Sequence, residues 1–353
     1  MTLRAVSLFS GAGGLDLGFE NAGYRIVYAN EMNKDSAASW KANRPLTANA
    51  MHLGNIVEQM AELNKLKDID IVFGGPPCQG FSIAGKMKDN DPRNKLVETF
   101  MSIVSSIRPT VFVMENVKAL ATHKKWNDVR KTLEEKARQD GYSARFGVFQ
   151  VKDFGVSEYR ERALFVGVRY DRGAVVDFFE EMKNHLTDPL PLRTVLREAG
   201  RYASPSNPIT STAKVTIAKN PVLRGSAYSG MLVNGSGRPM NLDSLSPTLT
   251  ASMGGNGTPI IDQHALESPQ KINWFVGLHK KMLKKKKPEE HVPSYIRRLT
   301  VKEAAAIQSF PADYVFEGSK CSQYRQVGNA VPPLFSNAIA KAVRDAYFSD
   351  EEA

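Results

Sequence analysis

A cysteine held between prolines and glycines is the residue most able to do chemistry. Cys78 follows Gly74-Gly75-Pro76-Pro77 and precedes Gln79-Gly80-Phe81-Ser82. A free cysteine is often only a small buried hydrophobic residue. Here the prolines stiffen the loop and the glycines expose it, as suits a nucleophile whose thiolate a nearby basic group would favour. Ser82 is the rival nucleophile, but Ala84 stands where the G-x-S-x-G pattern needs its second glycine.

Two further candidate groups suggest a nucleoside-containing cofactor. The turn Phe9-Ser10-Gly11-Ala12-Gly13-Gly14-Leu15-Asp16 lets a ligand approach the backbone closely, although a plain tight turn would read the same way. Glu31 follows about 20 residues later, where an acidic residue commonly binds a ribose diol. The turn is neither G-x-G-x-x-G nor a P-loop, and it has no phosphate-binding lysine. A cofactor without phosphate, such as S-adenosylmethionine (SAM), therefore fits best.

A carboxyl group follows a fourth predicted strand. Glu115 begins Glu115-Asn116-Val117. It could cap a neighbouring element. Beside a cofactor and a nucleophile, it could instead form hydrogen bonds with an amino group and a ring nitrogen of a substrate.

The elements that position these groups are predicted to form an α/β fold with a mainly parallel sheet. Ligands of such sheets bind beyond the carboxyl ends of the strands, where these candidate groups fall. The predicted strands are Ala5–Phe9, Arg25–Ala29, Ile69–Phe73, Thr110–Met114 and Ala163–Val168. The predicted helices are Asn94–Ile107, Trp126–Asp140, Thr300–Phe310 with a Thr300/Glu303 capping box, and a last helix ending near Phe348.

Composition favours an acidic partner and a reducing compartment. The 353 residues include 47 basic and 37 acidic ones, a net charge of +10 that favours nucleic acid, although it could serve solubility alone. The two cysteines, Cys78 and Cys321, make neither a disulfide framework nor a metal-binding pair, so no metal is expected. The sequence shows no signal peptide and no long apolar run, so a cytoplasmic location is expected.

The amino-acid composition of the chain changes after about Leu186. From there to about Val292 it is rich in Gly, Ser, Thr, Pro and Asn, which indicates a smaller, loop-rich domain. We expect a catalytic domain from residues 1–187 and 312–353, and a recognition domain with its hinge from 188–311. We interpret the run Lys284–Lys287 as a solvated loop. The alternative, functional interpretation is that these lysines contact phosphate.

Six sequence blocks in a fixed order resemble the cytosine-C5 DNA methyltransferases, most closely the bacterial restriction–modification type. The blocks are FSGAGGLDLGFENAGY, GGPPCQGFS, ENV, DFGVSEYRERALFVGVR, RRLTVKEAAAIQSFP and YRQVGNAVPP. The resemblance covers nearly the whole chain outside about 190–295. It implies a Rossmann-like SAM-dependent catalytic domain, a target-recognition domain, and site-specific methylation of cytosine in double-stranded DNA.

The resemblance also implies roles for individual residues. The catalytic set would be Cys78, Pro77, Gln79, Glu115, Arg160 and Arg162. The SAM pocket would comprise Phe9, Gly11, Gly13, Gly14, Leu15, Glu31, Met32, Asn55, Ile56, Leu96, Asn329 and Val331. Residues on the catalytic loop and in the recognition domain would contact DNA, namely Ser82, Arg224, Arg238, Thr248, Leu249 and Asn256.

The implied chemistry is covalent catalysis on a base flipped out of the duplex. The Cys78 thiolate would add to carbon 6 of cytosine, which makes carbon 5 nucleophilic toward the methyl group of SAM. Glu115, if protonated, would donate to N3, Arg162 would stabilise O2, and the Pro77 carbonyl would accept from the exocyclic amine.

The chain departs from the family pattern at two places. Asn55 replaces the usual aspartate in Gly54-Asn55-Ile56, which predicts weaker SAM binding at most, since an amide oxygen still accepts a hydrogen bond. Ser157-Glu158 replaces the usual Pro-Gln before Arg160-Glu161-Arg162, which leaves the local turn geometry open.

Two alternatives share this fold: an RNA cytosine-C5 methyltransferase, and a DNA-binding module without activity. The long recognition segment argues against the first, and the intact Cys78, Glu115 and Arg162 against the second. A nicotinamide dehydrogenase is disfavoured by the missing G-x-G-x-x-G. The expected form is a monomer, with a cognate endonuclease, where one exists, acting separately.

Overall fold

The computed structural model describes residues 2–77, 95–284 and 291–349. They divide into two compact units. The first takes in the described residues up to Gly155, Arg160–Asp188 and those from Ala330 onward; the second takes in Val156–Tyr159 and Pro189–Asn329. The second unit thus runs to Asn329.

The strands and helices of the described residues are as follows. The strands are β1 (Arg4–Leu8), β2 (Arg25–Glu31), β3 (Met51–Leu53), β4 (Ile71–Gly74), β5 (Val111–Val117), β6 (Tyr142–Gln150), β7 (Glu158–Tyr159), β8 (Glu161–Arg169), β9 (Ile217–Val222), β10 (Met231–Val233), β11 (Ser246–Pro247), β12 (Ile260–Asp262) and β13 (Ile296–Arg298). The α-helices are α1 (Gly14–Asn21), α2 (Lys34–Ala42), α3 (Met60–Leu63), α4 (Lys95–Ile107), α5 (Lys118–Thr122), α6 (Asn127–Gln139), α7 (Val175–Asn184), α8 (Leu192–Glu198), α9 (Gln263–Glu267), α10 (Trp274–Leu283), α11 (Val301–Ile307), α12 (Lys320–Asn329) and α13 (Pro333–Tyr347).

A seven-stranded sheet in the order β3-β2-β1-β4-β5-β8-β6 forms the centre of the first unit. The strands from β3 to β5 pair in parallel, whereas β8 is antiparallel to both β5 and β6. β4 and most of β5 are buried, as expected of apolar runs covered by helices on both faces. The expectation of a mainly parallel α/β sheet is confirmed.

Helix packing closes the core of this unit. On α4 the side chains of Val97, Phe100 and Val104 are fully buried, and each large apolar group contributes about 1.5–3 kcal/mol on burial. α13 packs on α1, where Gly18 is essential because a Cβ there would lie 2.3 Å from the Cβ of Ser336. The first and last of the described α-helices therefore pack closely against each other.

The second unit consists of short two-stranded sheets and short helices. β9 pairs with β10, β11 with β7, and β12 with β13. Its apolar core contains the following buried residues: Ala227, Leu232, Val233, Ile260, Phe275, Leu278, Met282 and Ile296. Within the described ranges, none of the helices in the chain has both the length and the hydrophobicity that a membrane span requires.

Candidate active site

Glu115 and Arg162 form an ion pair on the antiparallel strands β5 and β8. Glu115 is paired with Leu164 in the sheet register, so Arg162, two residues earlier, lies on the same face. Arg162 Nε lies 2.7 Å from Glu115 Oε1. Glu115 was expected after its strand, but β5 continues to Val117. The sheet itself, rather than a loop, therefore positions the carboxylate.

Burial dominates the electrostatics of Glu115. Its side chain is 12% exposed, and burial raises the pKa of Glu115 above its ordinary value, while the Arg162 and Arg160 guanidinium groups oppose that rise. We expect a carboxyl group that ionises beside its cation but takes up a proton more readily than an exposed glutamate.

The segment that leads to the predicted nucleophile approaches Glu115 closely. A Cβ at Gly75 would lie 2.9 Å from Glu115 Oε2, so only glycine leaves room for the carboxylate. Asn116 Nδ2 donates to the Pro76 carbonyl at 3.1 Å, which fixes this segment to β5. Pro77, half-buried, is the last described residue before the gap, and Cys78, Gln79 and Ser82 lie outside the described residues.

Arg160 is built into the first unit as a structural cation. Its side chain is 2% exposed, and its Nη2 donates to the Ala330 carbonyl at 3.1 Å. Its own carbonyl accepts from the Val151 amide at 2.9 Å. Arg160 thus ties β8 to the segment before α13, whereas Arg162 points its guanidinium to Glu115.

The glycine-rich turn and Glu31 meet at the ends of β1 and β2. Glu31 Oε2 accepts from the Gly11 amide at 2.8 Å, and Glu31 Oε1 accepts from the Asn33 amide at 2.7 Å. Burial raises the pKa of Glu31, and these backbone amides oppose that rise. The carboxylate therefore has a fixed orientation and keeps acceptor capacity for a further donor.

The backbone of the turn adopts conformations that suit a ligand cradle. Phe9 and Gly11 both have φ near +56°, and a Cβ added at Gly11 would meet no atom within 4 Å. Gly13, with φ +86°, caps α1, and Gly14 and Leu15 form its first turn. The turn is thus open at Gly11, whereas Gly13 packs against the side chains of Trp40 and Arg44.

The other predicted pocket residues are placed in different environments. Met32 is 74% exposed, while Ile56 is 3% exposed and belongs to the core. Asn55 is exposed, and its side chain accepts from the Val57 amide at 3.2 Å, while Leu96 is half-buried on α4. Asn329 ends α12 in the second unit and is exposed, and Val331 in the first unit is buried.

The predicted DNA contacts in the second unit fall into an exposed and a buried group. Arg224, Thr248 and Asn256 are exposed and Arg238 is half-buried. Leu249 is 2% exposed, so its side chain presents no surface to a ligand.

Thr248 and Leu249 have a structural function in this arrangement. The Leu249 amide donates to the Glu158 carboxylate, and Thr248 Oγ1 donates to the Tyr159 carbonyl at 2.6 Å. Glu158, at one of the departures from the family pattern, is completely buried and belongs to β7, which pairs with β11. These bonds attach Val156–Tyr159 to the second unit immediately before Arg160 and Arg162.

Sequence reasoning missed two residues that shape the site. Asn116 was noted only as part of its block, although a buried amide after Glu115 signals a fixed hydrogen bond. Arg44 was not noticed: its Nη2 donates to the Gly13 carbonyl at 3.1 Å and lies 2.8 Å from Glu20 Oε2. No local pattern would have identified Arg44, because its partners are distant in sequence.

Known proteins of one family resemble this chain in sequence and fold. The family profile for C-5 cytosine-specific DNA methylase matches residues 3–345. The chain is 33% identical over 362 residues to the Type II methyltransferase M1.HphI of Haemophilus parahaemolyticus, covering 97% of this chain and 87% of that protein. It is 30% identical over 360 residues to the Type II methyltransferase M.NgoPII of Neisseria gonorrhoeae, covering 97% and 95%. The S. pombe Dnmt2 methyltransferase structure shares the fold, with a TM-score of 0.65 at 17% identity over 98% of this chain and 99% of that one. The chain belongs to the C-5 cytosine-specific DNA methylase family.

Proposed function

We propose that this chain methylates carbon 5 of cytosine at a specific site in double-stranded DNA, with Cys78 as the covalent nucleophile. The observation that carries the proposal is the buried Glu115–Arg162 ion pair beside Gly75 and Pro76, which lead directly into Cys78. A proton donor and a cation at this place suit a ring that gains negative charge during attack.

The chain's own residues perform the proposed base chemistry. The Cys78 sulfur bonds to carbon 6, and Glu115 donates its proton toward N3 as electron density moves into the ring. Arg162 stabilises O2, and the Pro77 carbonyl accepts from the exocyclic amine. Carbon 5 then takes the methyl group and loses its proton to a base, the Cys78–carbon 6 bond breaks, and N3 returns its proton to the Glu115 carboxylate, which restores the ring.

Glu115 and Arg162 exchange partners in this scheme. Without DNA, each neutralises the other at 2.7 Å. A cytosine between them would give Arg162 an oxygen acceptor and would shield Glu115 from its cation. Because burial already raises the pKa of Glu115, that shielding favours the protonated carboxyl that donation to N3 requires.

The residues at the ends of β1 and β2 fit SAM. A fixed carboxylate at Glu31 would accept from ribose hydroxyls. The glycine-rich turn, open at Gly11 and continued by Gly13 and Gly14, suits the amino-acid part, and it contains no lysine that would bind a phosphate. Phe9 and the exposed Met32 would cover the adenine. SAM bound there supplies the methyl group. The wider pocket would be completed by Leu15, Asn55, Ile56, Leu96 and Val331, all in the first unit.

The second unit is proposed to read the target sequence. Its exposed Arg224 and Asn256, with Arg238, supply donors suited to phosphates and base edges, and the exposed Thr248 offers its hydroxyl oxygen as an acceptor. The net charge of +10 favours DNA. Gln79 and Ser82 are proposed to act on the catalytic loop. The target base must leave the stack, since thiolate and methyl group approach opposite ring faces. A monomer suffices for this scheme, and a cognate endonuclease would act separately.

The proposal is tested by bisulfite sequencing of plasmid DNA from a host without cytosine methylation that expresses either the wild-type protein or Cys78→Ser. We expect unconverted cytosines at one short recurring sequence with the wild type and none with the variant. SAM binding by purified Cys78→Ser, measured by calorimetry, should match the wild type and serves as the folding control.

Complete conversion with folded wild-type protein would reject the DNA activity. Methylation of cellular RNA under the same conditions would then support the RNA alternative, and DNA binding without any methyl transfer would support an inactive module. Near-normal methylation by Cys78→Ser would reject the covalent mechanism.

A further inference from the structure

Two glycine-containing loops of the second unit are packed backbone against backbone. They comprise residues 234–238 and 254–258. A Cβ at Gly235 would lie 2.2 Å from the Asn256 carbonyl oxygen, and one at Gly237 would lie 2.0 Å from the Thr258 carbonyl oxygen. The Gly237 amide donates to the Asn256 carbonyl at 3.1 Å. Side chains at these two glycines would force the loops apart.

A single guanidinium bridges these loops from below their surface. Arg298, the last residue of β13, is 4% exposed. Its Nη1 donates to the carbonyls of Asn256 and Thr258 at 3.2 and 2.9 Å. Its Nη2 donates to the Asn234 carbonyl at 3.3 Å, and its Nε to the Ala213 carbonyl at 3.5 Å. Three chain segments therefore converge on one planar fork.

These hydrogen bonds to several carbonyls require the planar guanidinium of an arginine. Within the described residues, Arg298 has no carboxylate in ion-pair distance, so backbone carbonyls solvate its charge. Lysine would keep the charge but would present a single nitrogen on a flexible stem, which cannot span the carbonyls of both loops. The β12–β13 register, with Ile260 opposite Arg298, fixes the base of the side chain.

The outer surface of the paired loops presents polar side chains from both. Ser236 and Asn256 are exposed, and Arg238 Nη1 donates to the Ser236 carbonyl at 2.8 Å. The Ser236 hydroxyl lies 3.3 Å from where a Cβ of Gly257 would stand, so it covers the second loop. The spacing between Arg238 and Asn256, both proposed to contact DNA, thus depends on the pairing of the loops.

We propose that Arg298 is a positioning residue for target specificity, which holds the two loops as one rigid DNA-reading element. The inference rests on the proposed function, because Arg298 would hold in place residues that are proposed to read DNA. Arg298 itself is buried and would contact no base. Its effect would be exerted through the relative placement of Arg238 and Asn256.

The test compares Arg298→Lys with the wild type and with Arg201→Lys, a matched change of an exposed arginine in the same unit. Initial rates are measured on duplexes that carry the wild-type target site or a single mismatch in it. We expect Arg298→Lys to raise KM for DNA about tenfold and to lower the preference over mismatched sites about tenfold, as loss of 1–3 kcal/mol of recognition would do. We expect kcat at saturating cognate DNA, SAM affinity and the Arg201→Lys values to remain those of the wild type.

A merely structural role would give a different result. Loss of folded protein lowers the active fraction, and so kcat, while KM and site preference stay unchanged. That pattern, or wild-type KM and site preference in Arg298→Lys, would overturn the inference.

Hydrogen exchange on the DNA-free protein separates this inference from the proposed function. In Arg298→Lys, the amide of Gly237 should exchange at least about tenfold faster, because its acceptor loop is released, while amides of β5 keep their wild-type rates. An unchanged exchange rate at the Gly237 amide would overturn the proposal that Arg298 holds the two loops together, even in an active enzyme. Absence of DNA methylation by the wild type would instead reject the proposed function.

Discussion

Removing the Arg162 cation should destabilise the protein in a manner that depends on pH. At a charge separation of about 4 Å and an effective dielectric constant of about 20, the attraction between Arg162 and Glu115 is about 4 kcal/mol. Arg160 remains as a second cation and water would enter the space, so we expect a net loss of about 2 kcal/mol for Arg162→Met at pH 8.

The sign of the pH dependence follows from the pKa of Glu115. Burial already raises the pKa of this carboxyl above its ordinary value of 4.5, and loss of Arg162 would raise it further. A carboxyl with a raised pKa leaves stability intact below its unfolded value and lowers it as pH rises through the folded value. Arg162→Met should therefore lose clearly less stability at pH 5 than at pH 8.

The assay is urea unfolding followed by tryptophan fluorescence in a Trp274→Phe background. Trp40 and Trp126, both in the first unit, then report on the unit that holds the ion pair, which avoids mixing two transitions. Arg169→Met serves as control, since Arg169 lies on the same strand and pairs with the exposed Asp171. It should lose at most about 1 kcal/mol at either pH.

If Arg162→Met loses the same free energy of unfolding at pH 5 and at pH 8, the proposed coupling between Arg162 and Glu115 is wrong. That coupling is also refuted by an Arg162→Met loss that keeps its pH dependence in a Glu115→Gln background, because no ionisable carboxyl would then remain to respond to the cation.

Four substitutions test other parts of the site. Glu31→Ala should raise the Kd for SAM about tenfold to a hundredfold in calorimetry, since hydrogen bonds to a charged group contribute about 1.5–3 kcal/mol; an unchanged Kd would contradict the pocket. Asn55→Asp should tighten SAM binding, because a charged acceptor is stronger and the bond from the Val57 amide is retained; weaker binding would argue against Asn55 as a SAM contact. Gly75→Ala should lower kcat about a hundredfold while SAM affinity is kept, because the new Cβ displaces the Glu115 carboxylate, and a normal kcat would show that this carboxylate placement is unimportant. Cys321→Ala should keep wild-type activity, since this exposed thiol has no proposed role, and loss of turnover in folded protein would refute that.

Local patterns predicted the sheet well because apolar runs and glycine-rich turns are read from neighbouring residues. β1 was expected over Ala5–Phe9 and runs over Arg4–Leu8, and the capping box at Thr300 and Glu303 is formed as expected. β3 was missed because Met51–Leu53 is too short for a periodic signal. β6 was missed because polar residues interrupt Tyr142–Gln150 and most of its side chains are only partly buried.

Site residues could be predicted only where they lie in one of the six sequence blocks. Glu115, Arg162 and the glycine-rich turn were expected from their blocks, but the ion pair between the first two depends on the antiparallel register of β5 and β8. The bond from Leu249 to Glu158 and the bridge made by Arg298 join residues about 40 to 90 positions apart, which no period in the sequence encodes. Such contacts follow from tertiary packing alone.

The most direct test of the central claim is covalent trapping on a duplex with 5-fluorocytosine at the target position, in the presence of SAM. Fluorine cannot leave carbon 5 as the proton does, so the bond between carbon 6 and sulfur should persist. We expect a denaturation-resistant protein–DNA adduct with the wild type, which mass spectrometry should place on Cys78, and no adduct with Cys78→Ser. An adduct on another residue, or none from a preparation that methylates the unmodified duplex, would contradict that claim.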